Sequence, residues 1–177
     1  ADTVGAYTLT YTSTDASGDV GTATRTVNVT DTTKPVVTVT GDNPATVELG
    51  DTYTDAGATA ADASGTMTVV TTGTVDADTV GAYTLTYTST DASGNVGTAT
   101  RTVNVVDTTG PTITVLGDNP ATHEFGTEYT DAGATATDAS GTVTVVTAGY
   151  VNVDVLGTYT ITYTSEDTDG NVATASR

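Results

Sequence analysis

The segment Ala1–Asp76 aligns with Ala77–Asn152 without a gap, and about four residues in five are identical. Residues 153–177 begin a third copy. Markers recur at the period: Gly5, Gly81 and Gly157; Tyr7, Tyr83 and Tyr159; Arg25, Arg101 and Arg177; Pro35 and Pro111. Solenoid repeats run from about 20 to 50 residues, and each needs its neighbours to bury its apolar face. A period of 76 residues is instead the size of a small independent domain. The chain is therefore expected to fold as a row of domains, each with its own core.

The copies do not start at residue 1. Asp31-Thr-Thr-Lys-Pro35 and Asp107-Thr-Thr-Gly-Pro111 read as linkers. Proline has no N–H for a sheet ladder and suits the first residue of a strand. One complete repeat then spans residues 32–107. A second spans 108–177 and lacks the end of its last strand. Residues 1–31 supply the last two strands of a preceding repeat. A lone hairpin is marginal in water, so this one is expected to be completed by further chain or by a neighbouring molecule.

Composition supports strands. Only 36% of the chain is hydrophobic and 15% charged, and much of the rest is Thr, Gly, Ser, Asp and Asn. The β-branched Thr and Val favour strands, and the alanines form no helical stripe. With no Trp, one Phe and nine Tyr, the cores must be thin and built from Val, Leu, Ile, Ala and Tyr.

In the full copy, Pro35–Thr40 reads as a first strand and Gly41-Asp-Asn-Pro44 as a turn. Ala45–Leu49 continues on the other sheet. Thr52–Ala60 follows, with a bulge at Asp55-Ala-Gly57, because glycine inside a strand pattern marks one. Next come Thr66–Thr72 and a short Thr74–Val75 piece. Ala82–Ser89 alternates: Tyr83, Leu85 and Tyr87 point inward, and Thr84, Thr86 and Thr88 point outward. Asp91-Ala-Ser-Gly-Asn95 is a hairpin turn. Val96–Val106 closes the domain, with Val103 and Val105 inward. About seven short strands separated by turn signals predict an all-β chain of tandem immunoglobulin-like β-sandwiches, end to end. Tyr83 takes the tyrosine-corner position of that fold, and Leu85 stands where the second disulfide cysteine would be.

Four motifs carry a family resemblance over essentially the whole chain: Gly-Asp-Asn-Pro, Tyr-Thr-Asp-Ala-Gly-Ala, Gly-x-Tyr-Thr-x-Thr-Tyr and Asp-x-x-Gly-Asn. With them the chain resembles bacterial immunoglobulin-like repeats of the DUF5011 type, the Ig-like domain of certain pesticidal crystal proteins, found also in large surface adhesins. The resemblance implies the fold and an extracellular, cell-surface setting. It implies no activity.

The net charge of −18, from 22 acidic against 4 basic residues, argues against nucleic acid and against an anionic membrane, since both need basic patches. No apolar run reaches membrane length, so no membrane insertion is expected. Without cysteine, disulfides do not staple the domains. Catalysis is not expected either. A single His123, replacing Val47 of the previous copy, leaves no triad, and the acids sit in turns rather than in an apolar cleft. Isopeptide cross-linking needs a core lysine, whereas the only one, Lys34, lies in a linker and its counterpart is Gly110.

Carboxylate clusters are the candidate chemistry. In an immunoglobulin-like topology the loops after strands B and F meet the chain where it enters the domain. That brings linker Asp31, Asp62, and Asp91 with Asn95 to one pole. One period later the set is Asp107, Asp138, and Asp167 with Asp169 and Asn171. Asp51, Asp76 and Asp78 belong at the opposite pole, facing the next repeat. Calcium takes six to eight oxygen ligands, so Ca2+ is the cofactor these poles would hold, and it would stiffen the junctions. The competing reading is local: Asp and Asn are favoured in turns because they hydrogen-bond their own backbone.

The expected role is a non-enzymatic spacer or stalk repeat of a large extracellular adhesin or surface filament, with neighbouring repeats as its partners. Alternatives are a self-assembling fibre subunit joined by strand complementation, and a glycan- or ligand-binding module. For the last, Tyr150, which replaces Thr74, is the one tyrosine off the repeat pattern.

Overall fold

In a computed structural model that describes residues 3–63 and 65–177, the described chain is all-β. It contains no helix long and apolar enough to cross a membrane. The strands in order are β1 (Gly5–Thr14), β2 (Val20–Val29), β3 (Val36–Val39), β4 (Ala45–Glu48), β5 (Ala58–Asp62), β6 (Gly65–Met67) and β7 (Val70–Thr72). They continue as β8 (Gly81–Thr90), β9 (Val96–Val106), β10 (Thr112–Val115), β11 (Ala134–Thr137), β12 (Thr144–Ala148), β13 (Thr162–Glu166) and β14 (Val172–Ser176). Two compact units form. One is Ala1–Thr40, Gly57–Thr72 and Thr86–Thr100; the other is Gly41–Ala56, Gly73–Leu85 and Arg101–Arg177.

Within the first unit, β1 and β2 make a two-stranded antiparallel hairpin, paired from Gly5 opposite Val29 to Thr14 opposite Val20. The turn between them is closed by Asp15, whose carboxylate accepts the N–H groups of Ser17 and Asp19. Strands β3, β5 and β6 form an antiparallel sheet in that order. Val70–Thr72 pairs with Thr86–Thr88 of β8.

The second unit holds the parallel pairing of Ala45–Glu48 with Val103–Val106, as expected for a segment placed on the other sheet. In the C-terminal repeat β10 pairs with β11, and β12, β13 and β14 form a second sheet. The two sheets lie against each other, with β10 close to β13 and β14, and β11 close to β12. That is sandwich packing.

Alternation fixes the core. Leu85, Tyr87 and Ser89 are buried along β8, and Arg101, Val103 and Val105 along β9. Tyr83 is half-buried and donates its hydroxyl to the carbonyl of Thr79 at 2.8 Å. Tyr159 does the same to Val155 at 2.8 Å, and Tyr7 to Thr3 at 2.8 Å. This is the tyrosine corner, and it recurs once per period.

Several strand expectations need correction. Residues 52–57 are not strand; β5 begins only at Ala58. Gly57 takes φ +73°, and its carbonyl accepts the N–H of Thr40, so the glycine makes a left-handed turn where a bulge was expected. Thr66–Thr72 is not one strand. Met67 pairs with Ala60 in one sheet and Val70–Thr72 with β8 in another, so the chain changes sheets between them. Ser89 donates to the Thr68 carbonyl at that crossing, at 2.9 Å. Thr74–Val75 forms no strand.

Candidate functional site

Three loops converge at each linker. In the first unit the carboxylates of Asp31, Asp62 and Asp91 approach until one oxygen from each lies within 4.8 Å of the others. In the second unit Asp107, Asp138 and Asp167 do the same. Each triad draws one residue from the linker, one from the end of β5 (Asp62) or the position just after β11 (Asp138), and one from the hairpin turn between the repeat's last two strands.

Local chemistry fixes these turns. The Asp167 Oδ1 accepts the N–H groups of Asp169 at 2.9 Å and Asn171 at 2.8 Å, while its own N–H donates to the Asn171 carbonyl. The Asn171 amide donates to Asp167 Oδ2 at 2.8 Å and to the Asp107 carbonyl at 3.1 Å. The asparagine therefore ties the hairpin turn to the linker. Asn95 does so one period earlier, to Asp91 Oδ2 at 2.7 Å and the Asp31 carbonyl at 3.2 Å. In the remaining corner Asp138 Oδ1 accepts the N–H and hydroxyl of Ser140.

The acids differ in what balances them. Burial pushes the Asp91 and Asp167 carboxyls up, but the asparagine and backbone donors outweigh it and hold both below the usual carboxylate range. Asp107 goes the other way. Burial pushes its carboxyl up, the Thr109 N–H opposes this, and the negative charges of Asp138, Asp167 and Asp169 reinforce it. Its Oδ1 accepts Thr109 N–H at 3.2 Å. Its Oδ2 is buried with no hydrogen-bond partner, and the residue is only 8% exposed.

Other expected residues fall outside the triads. Asp169 is exposed on the same turn, with Thr168 as its hydroxyl donor. Asp76 accepts the Asp78 N–H and the Thr79 hydroxyl within its own turn. Asp78 lines a shallow cleft with Leu49, Ser140 and Asp169, inside the second unit. Asp51 donates its N–H to the Glu48 carbonyl.

Two constellations were not singled out by sequence reasoning. Glu48 accepts Thr108 N–H at 2.7 Å, Thr108 Oγ1 at 2.8 Å and Thr109 Oγ1 at 2.9 Å. These donors hold its carboxyl below the usual range. It is the brace between β4 and the following linker. The other is a buried ion pair. Arg101, 2% exposed, meets Asp55 at 2.7 Å, and Arg177 meets Asp131 at 2.7 Å. Tyr163, fully buried, donates to Asp131 at 2.7 Å, and burial together with that bond pushes its phenol up to about 12. The period-76 recurrence of Arg with Tyr-Thr-Asp was the available signal.

A groove of about 500 Å³ opens beside residues 120–125 and 151–161, with Phe125, Tyr129, Tyr159 and Ile161 among its walls. One period earlier, Ala45–Glu48 pairs in parallel with Val103–Val106. His123 stands in the groove edge-on to Tyr129, with ring centroids 5.1 Å apart, and hydrogen-bonds Thr127. Tyr150 is 78% exposed.

Comparison with known proteins adds one match of weight. The model of the bacterial surface protein Ig-like domain matches residues 37–105 and again 113–177. Among solved structures, the lipoprotein BT2262 from Bacteroides thetaiotaomicron aligns with 21% identity over 81% of this chain and 79% of its own, at a TM-score of 0.39. No curated protein is significantly similar to the chain.

Proposed function

Because the chain belongs to the bacterial surface protein Ig-like domain family, we propose that it is a structural spacer segment of a large extracellular adhesin or surface filament. The family places it among bacterial surface Ig-like domains; the spacer role is the further step. Its motifs suit the DUF5011-type branch. The reading assigns it no catalysis, and neighbouring repeats are its partners.

The observation that carries this reading is how the linkers are held. Glu48 grips Thr108 and Thr109 from the preceding repeat, while Asn171 grips the Asp107 carbonyl from the following one. A linker pinned from both sides restrains the domains it joins, whereas a Gly/Ser-rich one leaves them free. Extending reach needs more copies of one restrained joint rather than new chemistry.

Small-angle scattering on chains of two, three and four joined copies tests it. We expect the maximum dimension to grow by roughly 40 Å per copy, the length of about 12 strand residues at 3.3 Å each. A dimension that stops growing after two copies would contradict a spacer.

A second reading is assembly into fibres by strand complementation, favoured by the apolar face that Leu9, Tyr11 and Val27 expose on the β1–β2 hairpin. Exposed strand edges invite pairing with another chain. Sedimentation over a hundredfold concentration range decides it: polymers that grow with concentration support the fibre, and a constant monomer removes it.

A further inference from the structure

We propose that Asp107, Asp138 and Asp167 form a calcium site, and that Asp31, Asp62 and Asp91 form its copy one period earlier. The proposal stands apart from the spacer reading, since a binding module could use the same site.

Proximity of three carboxylates comes first. Acids gathered in turns can be mere turn formers, and Asp167 is visibly one, with both oxygens engaged by its own turn. Asp107 is different. It is more than nine-tenths buried, it faces the other two acids, and its Oδ2 has no donor. A buried charge with no counter-charge, and with one of its oxygens lacking a donor, is costly. The ion pairs formed among the described residues, Arg101 with Asp55 and Arg177 with Asp131, lie elsewhere. A cation held by the three acids would supply the counter-charge.

The donor set selects the class. All candidate ligands are hard oxygens, with no sulfur and no imidazole in the cluster, which suits calcium rather than zinc or copper. Calcium tolerates irregular geometry and fills its shell with water, whereas magnesium demands near-ideal octahedra. The Asn171 amide, bonded to both the linker carbonyl and Asp167, holds the hairpin turn and the linker in place around the site. Asn95 holds the first site in the same way.

The test is calorimetric titration of CaCl2 into the whole chain after stripping with chelator, paired with thermal unfolding. We expect about two ions per chain and a rise in melting temperature. Asp107→Asn should bind about one ion. Without metal it should melt no lower than the parent, because the substitution removes a charge repelled by its neighbours; with calcium it should melt lower. Asp138→Asn, which leaves the linker untouched, should repeat this pattern and covers the case in which the first variant misfolds. Asp118→Asn, exposed and outside both triads, should keep both ions. No heat at millimolar calcium, two ions retained by both triad variants, or an equal loss of stability with and without metal would overturn the site. So would a magnesium titration giving the same affinity as calcium.

Discussion

Arg101 shows what one residue can do in so thin a core. It is the largest of the fully buried side chains, and it is held by Asp55 and the Tyr53 hydroxyl. Breaking such a pair leaves an uncompensated charge, so Asp55→Asn should cost about 3 to 5 kcal/mol, read by urea denaturation at pH 7. The equivalent acid in the next repeat adds a pH signature. Burial pushes the Asp131 carboxyl up, but the hydrogen bonds from Tyr163 and Gly133 and the charge of Arg177 outweigh it and hold it below the usual range. A folded-state pKa below the unfolded one means stability that is present above the unfolded value, about 3.9, and lost as pH falls through the folded value. Asp131→Asn should therefore lower stability at pH 7 and flatten its decline between about pH 4 and pH 2. An unchanged acid limb would show that Asp131 is not the group responsible. Alternation puts Arg101 on the same face as Val103 and Val105, but a charged residue is rarely buried unless paired, and its partner Asp55 lies far away in sequence. The carboxylate poles were easier to read, because topology alone places Asp31, Asp62 and Asp91 together. Which of their oxygens lacks a donor depends on side-chain geometry that spacing does not encode.

The same ten residues, GAYTLTYTST, form β1 and β8. Both are strands of identical length, so local propensity and alternation suffice to make the element. Burial differs: Leu9 and Tyr11 are about half exposed, whereas Leu85 is 4% and Tyr87 0% exposed. Position in a sheet, rather than the strand sequence, makes the core. This explains why Ala82–Ser89 and Val96–Val106 were legible and the 52–57 segment was not. There Tyr53 and Asp55 alternate as strand residues do, but they serve the buried arginine, and Gly57 turns the chain before pairing begins. The crossing at Thr68 was equally hidden, because a strand that changes sheets keeps its β-branched composition. A neighbouring element is set by one glycine. Gly73 has φ +99°, and a Cβ there would lie 2.5 Å from the Thr84 carbonyl oxygen. L-residues avoid that conformation, so Gly73→Ala should cost about 2 kcal/mol or more, measured as a shift in denaturation midpoint. Gly149, with φ +98° and the Thr160 oxygen at 2.5 Å, should behave alike. Equal midpoints for either variant would mean that β7 or β12 does not approach its neighbour as described.

For the molecule as a whole, charge and repetition act together. Two of its four basic residues are buried or nearly so in ion pairs, which leaves a surface dominated by acids. Such a surface makes chains repel one another, while the linker at 107–111 is held by the Glu48 carboxylate of the repeat before it and the Asn171 amide of the repeat after it. If the 76-residue period is the folding unit, each copy should carry its own stability. Stretching a chain of four joined copies by its ends measures this directly. We expect separate unfolding events, each releasing roughly 230 Å, the contour of one period at up to about 3.6 Å per residue less the roughly 40 Å it spans when folded. A single event releasing several periods at once would show that the copies fold as one solenoid-like body, and would contradict the reading of this chain as a row of independent domains.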